Sequence, residues 1–280
     1  MATNTTTAAS ILRPEQVGPL IVQPLTAASV AMQASTVAQT DSTEFRIPII
    51  TGDPDASWVP EGTEIPVDDA DFDEEVVVPK KVAALSVLSN ELIEDSSPEA
   101  SAVIGARLVQ SLVRKVDAAW FANTTTNGPS GLGSITPTLT YAGAAYANVD
   151  AFLEAVTAAE SAGAQVNTFV THPATALALA KLKKATGSNE PLLQRDVTVP
   201  GGRIVAGVPL LVSPHAPNDG SVYGIPKDRT FVVIRRDVQV VLDSSAFFTS
   251  DRTAVRVTAR IGFGFPHPAA VVKVNKTVAP

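Results

Sequence analysis

Polar and apolar residues alternate with a period of two in "TEFRIPII" (43–50), where Phe45, Ile47 and Ile49 stand against Glu44 and Arg46. That period predicts a half-buried strand. "VAALSVLS" (82–89), after the apolar run Val76 to Val78, reads as a second strand. The stretch between them is of another kind. It has no Lys or Arg from Thr51 to Pro79, and it carries Asp53, Asp55, Glu61, Glu64, Asp68, Asp69, Asp71, Asp73, Glu74 and Glu75, a formal charge of about −10. Unpaired buried carboxylates cost far more than its few apolar residues return, so it cannot bury itself in its own core. The pattern predicts a long hairpin, charged and exposed at its far end. Roughly 14 residues per arm give it a reach on the order of 40 Å.

The periodicity then changes to 3.6. In "EDSSPEASAVIGARLVQSLVRKVDAAWFANT", apolar residues recur at Ile104, Leu108, Leu112, Val116 and Trp120, with Val109, Val113 and Ala119 widening the stripe. Ser97 is placed to cap this helix, Pro98 suits its first position, and Glu99 suits the positive end of its dipole. A helix over 98–123 would be roughly 39 Å long. "TTTNGPSGLGSITP" closes it with turn signals and marks a domain junction. Beyond it, Phe152, Val156 and Ala159 follow Asp150 at helical spacing, "TFVTHP" reads as a strand, and a helix runs from Pro173 to Lys184. "GRIVAGVPLLVSP" and "SVYGIP" add strands, so 126–227 reads as a mixed α/β unit. "RTFVVIRRDVQVVLD" and "TAVRVTARIGFGF" are two further strands. The second sets Val255, Val257, Ala259 and Ile261 on one face and Arg256, Thr258 and Arg260 on the other.

Composition narrows the function. At 280 residues with 45% hydrophobic content the chain is long enough for one large or two modest domains. Net charge is −7 and the isoelectric point near 5.0, which disfavours a protein that grips phosphates over a broad basic face. With no cysteine, disulfides, thiolate metal sites and thiol nucleophiles are excluded. The start "MATNTTTAASILRP" lacks the pattern of a signal peptide and no apolar run is long enough to span a membrane, so the expectation is a cytoplasmic product with no membrane partner. Residues 1–43, rich in Thr, Ala, Ser and Gln, read as an arm.

The candidate chemical sites fail on detail. Asp69, Asp71 and Asp73 suggest a calcium loop, but Glu74 stands where glycine is needed for the turn and Lys80 where a bidentate Glu is needed. His172, His215 and His267 each lie beside proline with no ligand-spaced partner, so turn or helix-cap positions explain them. Ser130 lacks the strand and helix of a nucleophile elbow. "GFGFPHP" follows a strand, but its prolines block the helix a phosphate loop requires. Lys181, Lys183 and Lys184 lie at a helix end without interleaved aromatics. Catalytic, cofactor and metal roles are assigned to no residue.

The acidic hairpin therefore looks outside its own subunit for cations. Lys227, Arg229, Arg235, Arg236, Arg252, Arg256 and Arg260 face only Asp228, Asp237, Asp243 and Asp251 in the same segment. The expected subunit interface sets Glu61, Glu64, Asp68, Asp69, Asp71 and Asp73 against Arg235, Arg236, Arg252, Arg256 and Arg260, with Trp58, Val59 and Ile65 as apolar anchors.

These residues resemble the major capsid proteins of tailed double-stranded DNA bacteriophages, with the Hong Kong 97-type shell fold. "ASWVPEGTEIP" is similar to that family's extended loop, and "VVVPKKVAALSVLSNELIEDS" to the strand and turn before its spine helix. "NGPSGLG" resembles the turn into its axial domain, and "VTHPATALALAKLK" a strand and helix of that domain. "DVQVVLDSS" and "DRTAVRVTARIGFGFPHPAAVVKV" resemble the returning peripheral strands. The resemblance implies an α+β chain divided into an arm (1–43), an extended hairpin loop with its base strands (44–89), a peripheral-domain spine helix (90–125), an α/β axial domain (126–227) and peripheral return strands (228–280). It implies a homo-oligomer of pentamers and hexamers in an icosahedral head, located in the virion and assembled in the host cytoplasm. Its partners are a portal protein and double-stranded DNA bound without sequence specificity. Some members join subunits by a Lys–Asn isopeptide bond; with no Lys in 51–79 and no Asn in 228–262, no such cross-link is expected. About 43 residues precede the hairpin, so a separate scaffolding protein is expected. An encapsulin compartment shell, and a hydrolase or carbohydrate-binding domain with an acidic cleft, are the competing readings.

Overall fold

The computed structural model describes residues 29–52, 58–64, 71–91, 99–141, 146–185, 187–195, 202–243 and 245–275. Two sheets organise them. The first has four strands in the order β1 (Thr36–Thr40), β11 (Phe231–Asp243), β12 (Arg252–Gly264), β4 (Lys80–Ser89). Antiparallel pairing joins β11 to β12 and β12 to β4, while β1 lies parallel to β11. Val255, Val257, Ala259 and Ile261 form the buried face of β12, as their alternation predicts. A long helix covers that face: α2 (Glu99–Phe121), buried through Leu108, Leu112, Val113, Val116, Ala119 and Trp120. Its 23 residues give about 35 Å of helix. The side chain of Ile104 and the cap residues Ser97 and Pro98 lie outside the described residues.

The segment read as an arm is not uniform. Ser29 caps a short helix, α1 (Val30–Ala34), and the chain then enters the four-stranded sheet as β1. Asp117, buried on α2, fixes this arrangement. Ser29 Oγ donates to its Oδ1 at 2.6 Å and the N–H of Ala31 donates to the same oxygen at 3.1 Å. Residues 29–40 thus belong to the body, because a polar group on α2 satisfies the orphan donors at the start of α1.

The second sheet has seven strands in the order β5 (Thr138–Tyr141), β13 (Val272–Asn275), β10 (Val222–Ile225), β6 (Thr168–Thr171), β9 (Val208–Val212), β8 (Arg203–Val205), β7 (Gln194–Arg195). Ala206 and Gly207, at φ 50° and 80°, close the β8–β9 hairpin. Helices α3 (Asp150–Ser161) and α4 (Pro173–Ala180) bury Phe152, Ala155, Ala159, Ala176 and Leu179 with Phe169 and Val222 of the sheet. Two expectations are corrected. The last strand, β13, sits between β5 and β10 and so does not return to the sheet of β11 and β12. Helix α4 stops at Ala180, where the chain bends into a loop in which Lys183 bridges Pro191 and the Lys184 N–H bonds the Glu190 carbonyl. The end of α2 joins the two units: Trp120 and Phe121 meet edge to face, and Phe121 lies 6.3 Å from Tyr223 of β10.

Candidate assembly surface

Strands β2 (Phe45–Gly52) and β3 (Asp71–Val77) form an antiparallel hairpin with its own two-stranded sheet. Its described ladder runs from Phe45 opposite Val77 to Gly52 opposite Asp71, and residues 53–57 and 65–70 lie outside the described residues. The second arm ends at Val77 because β4 turns away at Pro79 to pair with β12. Eight residues of β2 span about 26 Å.

The hairpin has a rooted end and an exposed end. At the root, Ile47 and Val77 are buried with Val233 of β11, flanked by Phe45, Ala38 and Phe231. They sit on the outward face of β12, where Gly262 and Gly264 leave room. A Cβ on Gly262 would stand 2.7 Å from Val77 Cγ1, and one on Gly264 would stand 2.8 Å from both Ile47 Cδ1 and Val77 Cγ2. The glycines of "GFGF" are therefore the seat of the hairpin. Alternating small residues on the outward face of a strand were the sequence signal for it. Glu75 enters the same joint: the Phe265 N–H donates to its Oε1 at 3.0 Å, while its Oε2 is buried with no protein partner among the described residues. Burial raises the Glu75 pKa above the usual carboxylate value, against the smaller opposing pull of the Phe265 N–H.

Beyond the root, Ile50 and Phe72 stand opposite each other and are 54% and 72% exposed. Trp58, 104% exposed, lies further along, with Glu61 and Glu64 also exposed. Asp71 and Asp73 are exposed on one side of β3, at alternate positions of an extended strand. Among the described residues no group of His, Asp or Glu is arranged to hold a metal. Asp68 and Asp69, and Ile65, lie outside the described residues. Arg46 pairs with Glu74 at 2.5 Å and Glu44 at 3.5 Å, so the hairpin's own cation is engaged locally.

The outward face of the four-stranded sheet is basic and partly apolar. Register sets Lys81, Arg260 and Arg235 side by side across three strands, and Leu85, Arg256 and Val241 in a further row. Leu85 is 62% exposed; Val87, next but one on β4, and Arg256 are exposed as well. Arg235 Nε donates to the Asp41 carbonyl at 3.3 Å. Arg252 lies over the Phe247 ring at 5.7 Å and donates to Ser250 Oγ. The side chain of Arg236 lies outside the described ones. Asp243, exposed on the same face, is held below its ordinary pKa by hydrogen bonds from Ser245 and, more weakly, by Arg256.

The histidines occupy helix-cap and turn positions. His172 Nδ1 accepts from the Ala174 N–H as the cap of α4. The His215 N–H donates to Ser213 Oγ in a turn, and His267 precedes a single 3-10 turn. Lys184 pairs with Glu190 and Lys183 Nζ donates to the Asn189 carbonyl, so these lysines tie a loop together.

The Phage capsid family model matches residues 9–276. A capsid polyprotein of Pseudomonas phage PAJU2 is 30% identical over 183 residues, 62% of this chain. The match spans only about a quarter of that relative's length, 27%. The capsid of an empty GTA particle superposes with a TM-score of 0.74 at 19% identity, covering 89% of this chain and 90% of its own. A structure from Mycobacterium phage Adephagia gives 0.72 at 18% identity over 90% and 91%, and one from Mycobacterium phage Cain gives 0.72 at 17% over 100% and 96%. The structural likenesses show the α+β fold of Hong Kong 97-type capsids, and the family match favours it over an encapsulin or a hydrolase. With nearly the whole length matched, the chain belongs to the phage capsid family.

Proposed function

We propose that this chain is the self-assembling subunit of an icosahedral phage head, and that its hairpin lies on the outward sheet face of a neighbouring copy. The observation that carries this reading is a pair of complementary surfaces that one chain leaves uncovered. Ile50 and Phe72 share one face of the hairpin with Glu74, while Asp71 and Asp73 are exposed on its other face; Leu85 and Val87 are bordered by Arg256 and Arg252. The hairpin is rooted at the Gly262 and Gly264 end of β12, while Leu85 and Val87 lie beside Arg256 and Ala254. About eight residues of strand, roughly 26 Å, separate the two sites. A second copy meets both needs. Apolar contact supplies affinity, and the opposed charges fix register and partner.

In this reading Trp58, Glu61, Glu64, Asp68, Asp69, Asp71 and Asp73 are the donor side of the contact, and Arg235, Arg236, Arg252, Arg256 and Arg260 the receiving side. Subunits close into pentamers and hexamers without catalysis. A separate scaffolding protein and a portal protein assist, and double-stranded DNA fills the head by volume and not by sequence. The α2 helix is then the spine of a peripheral domain and the seven-stranded sheet the core of an axial one. Particles form in the host cytoplasm and the chain ends in the virion.

The test is the double reversal Arg256→Glu and Arg260→Glu, read by size-exclusion chromatography and electron microscopy. Wild type gives closed shells; the double variant stays as folded subunits or small oligomers with an unchanged far-ultraviolet spectrum. Shells of normal size from the double variant would overturn the pairing.

A further inference from the structure

The hairpin root contains a carboxyl group at its joint with β12. Glu75 lies opposite Ile47 in the hairpin, and both Ile47 and the next strand position but one, Val77, are buried against β12. One of its oxygens holds the Phe265 N–H, immediately after β12 ends at Gly264; the other is enclosed without a protein partner among the described residues. The glycine seat leaves the hairpin close to the strand but gives it no side chain to interlock with, so the Glu75 to Phe265 bond is the polar link across the joint.

We propose that protonation of Glu75 sets how firmly the hairpin is docked on its own subunit, and hence the angle at which it is offered to the next copy. This rests on the assembly reading above. Ionised, the carboxylate keeps its bond from Phe265 but leaves a negative oxygen in an enclosed apolar joint, which is costly. Protonated, it removes that charge and leaves only the smaller cost of an enclosed neutral carboxyl oxygen.

The surrounding charges do not supply a partner. On the hairpin, Arg46 is engaged with Glu74 and Glu44, and Asp73 and Glu74 are of like sign to Glu75. Arg260 lies on β12 two outward positions before Gly264, with Lys81 on β4 and Arg235 on β11 in its row. Lys80 begins β4, His267 follows β12, and Asp228 and Arg229 precede β11. Loss of water and the Phe265 bond are what set the proton affinity of Glu75.

The direction follows from linkage. The docked state has the raised pKa, so it holds the proton more tightly than a released hairpin does. Docking is therefore fully favoured below the pKa of the released group and weakens as pH rises through the docked value.

The experiment is hydrogen exchange by mass spectrometry on the full chain, wild type and Glu75→Gln, from about pH 4 to about pH 8. Protection is corrected for intrinsic exchange rates. In wild type, protection of 71–77 and of Phe265 falls as pH rises across the range, whereas 255–261 in β12 stays constant. Glu75→Gln, an uncharged mimic of the protonated form, holds the acid-side protection at every pH. A flat wild-type profile overturns the proposal, and that profile suffices even where the variant does not fold. A Gln variant that follows the same fall overturns it equally. Electron microscopy of the same samples scores shell formation separately: shells with a flat profile reject the hinge alone, and a titrating hinge without shells rejects the assembly reading alone.

Discussion

The β11–β12 ladder and the β2–β3 ladder are built from the same alternation and reach opposite ends. In β12, Val255, Val257, Ala259 and Ile261 alternate with polar residues and are all buried under α2. In the hairpin, alternation buries Ile47 and Val77 only at the root; Ile50 and Phe72 are left in solvent. The first ladder completes its core within one chain. The second has apolar side chains beyond the last residue that its own subunit can cover. An exposed apolar pair on an acidic hairpin marks a contact surface, and the assembly reading places its missing half on another copy.

Substitutions separate the two ladders sharply. The largest effect on folding belongs to the body: Trp120→Ala empties the fully buried site that this ring fills at the end of α2, edge to face with Phe121. It destabilises by about 3–5 kcal/mol, read by denaturant unfolding. A loss under about 1 kcal/mol there would mean that α2 is not the keystone of the first core. The smallest belongs to the hairpin. Phe72→Ser leaves the unfolding free energy within about 0.5 kcal/mol of wild type, since the ring is already in water. The same variant forms far fewer shells at equal concentration. If it unfolds as easily as the Trp120 variant, the hairpin is part of the core and the contrast fails.

Much of this was legible in the sequence. The helical stripe from Leu108 to Trp120 fixed α2 nearly to its ends, because a helix is specified by neighbours three and four residues apart. Alternation likewise located β11 and β12. Strand partnership was less legible. Nothing local tells Val272–Asn275 to pair with Thr138–Tyr141 or tells Thr36–Thr40 to lie beside Phe231, since such pairings depend on contacts across more than a hundred residues. The hairpin was recognised from its charge, and its far end, read at roughly 14 residues per arm, falls partly outside the described residues. The apolar pair Ile50 and Phe72 was hidden by its acidic neighbours. The hinge carboxylate, one of ten in a row of acids, became distinct only once Phe265 and Gly264 were beside it.

The chain's two tryptophans allow the central claim to be tested directly. Trp120 is fully buried, whereas Trp58, on the hairpin, is fully exposed in the subunit. Acrylamide quenching of the subunit should therefore show one accessible and one protected emitter. The account predicts that the accessible component disappears when subunits close into shells, because a neighbour covers Trp58. Closed shells in which Trp58 is quenched as readily as in the subunit would contradict it.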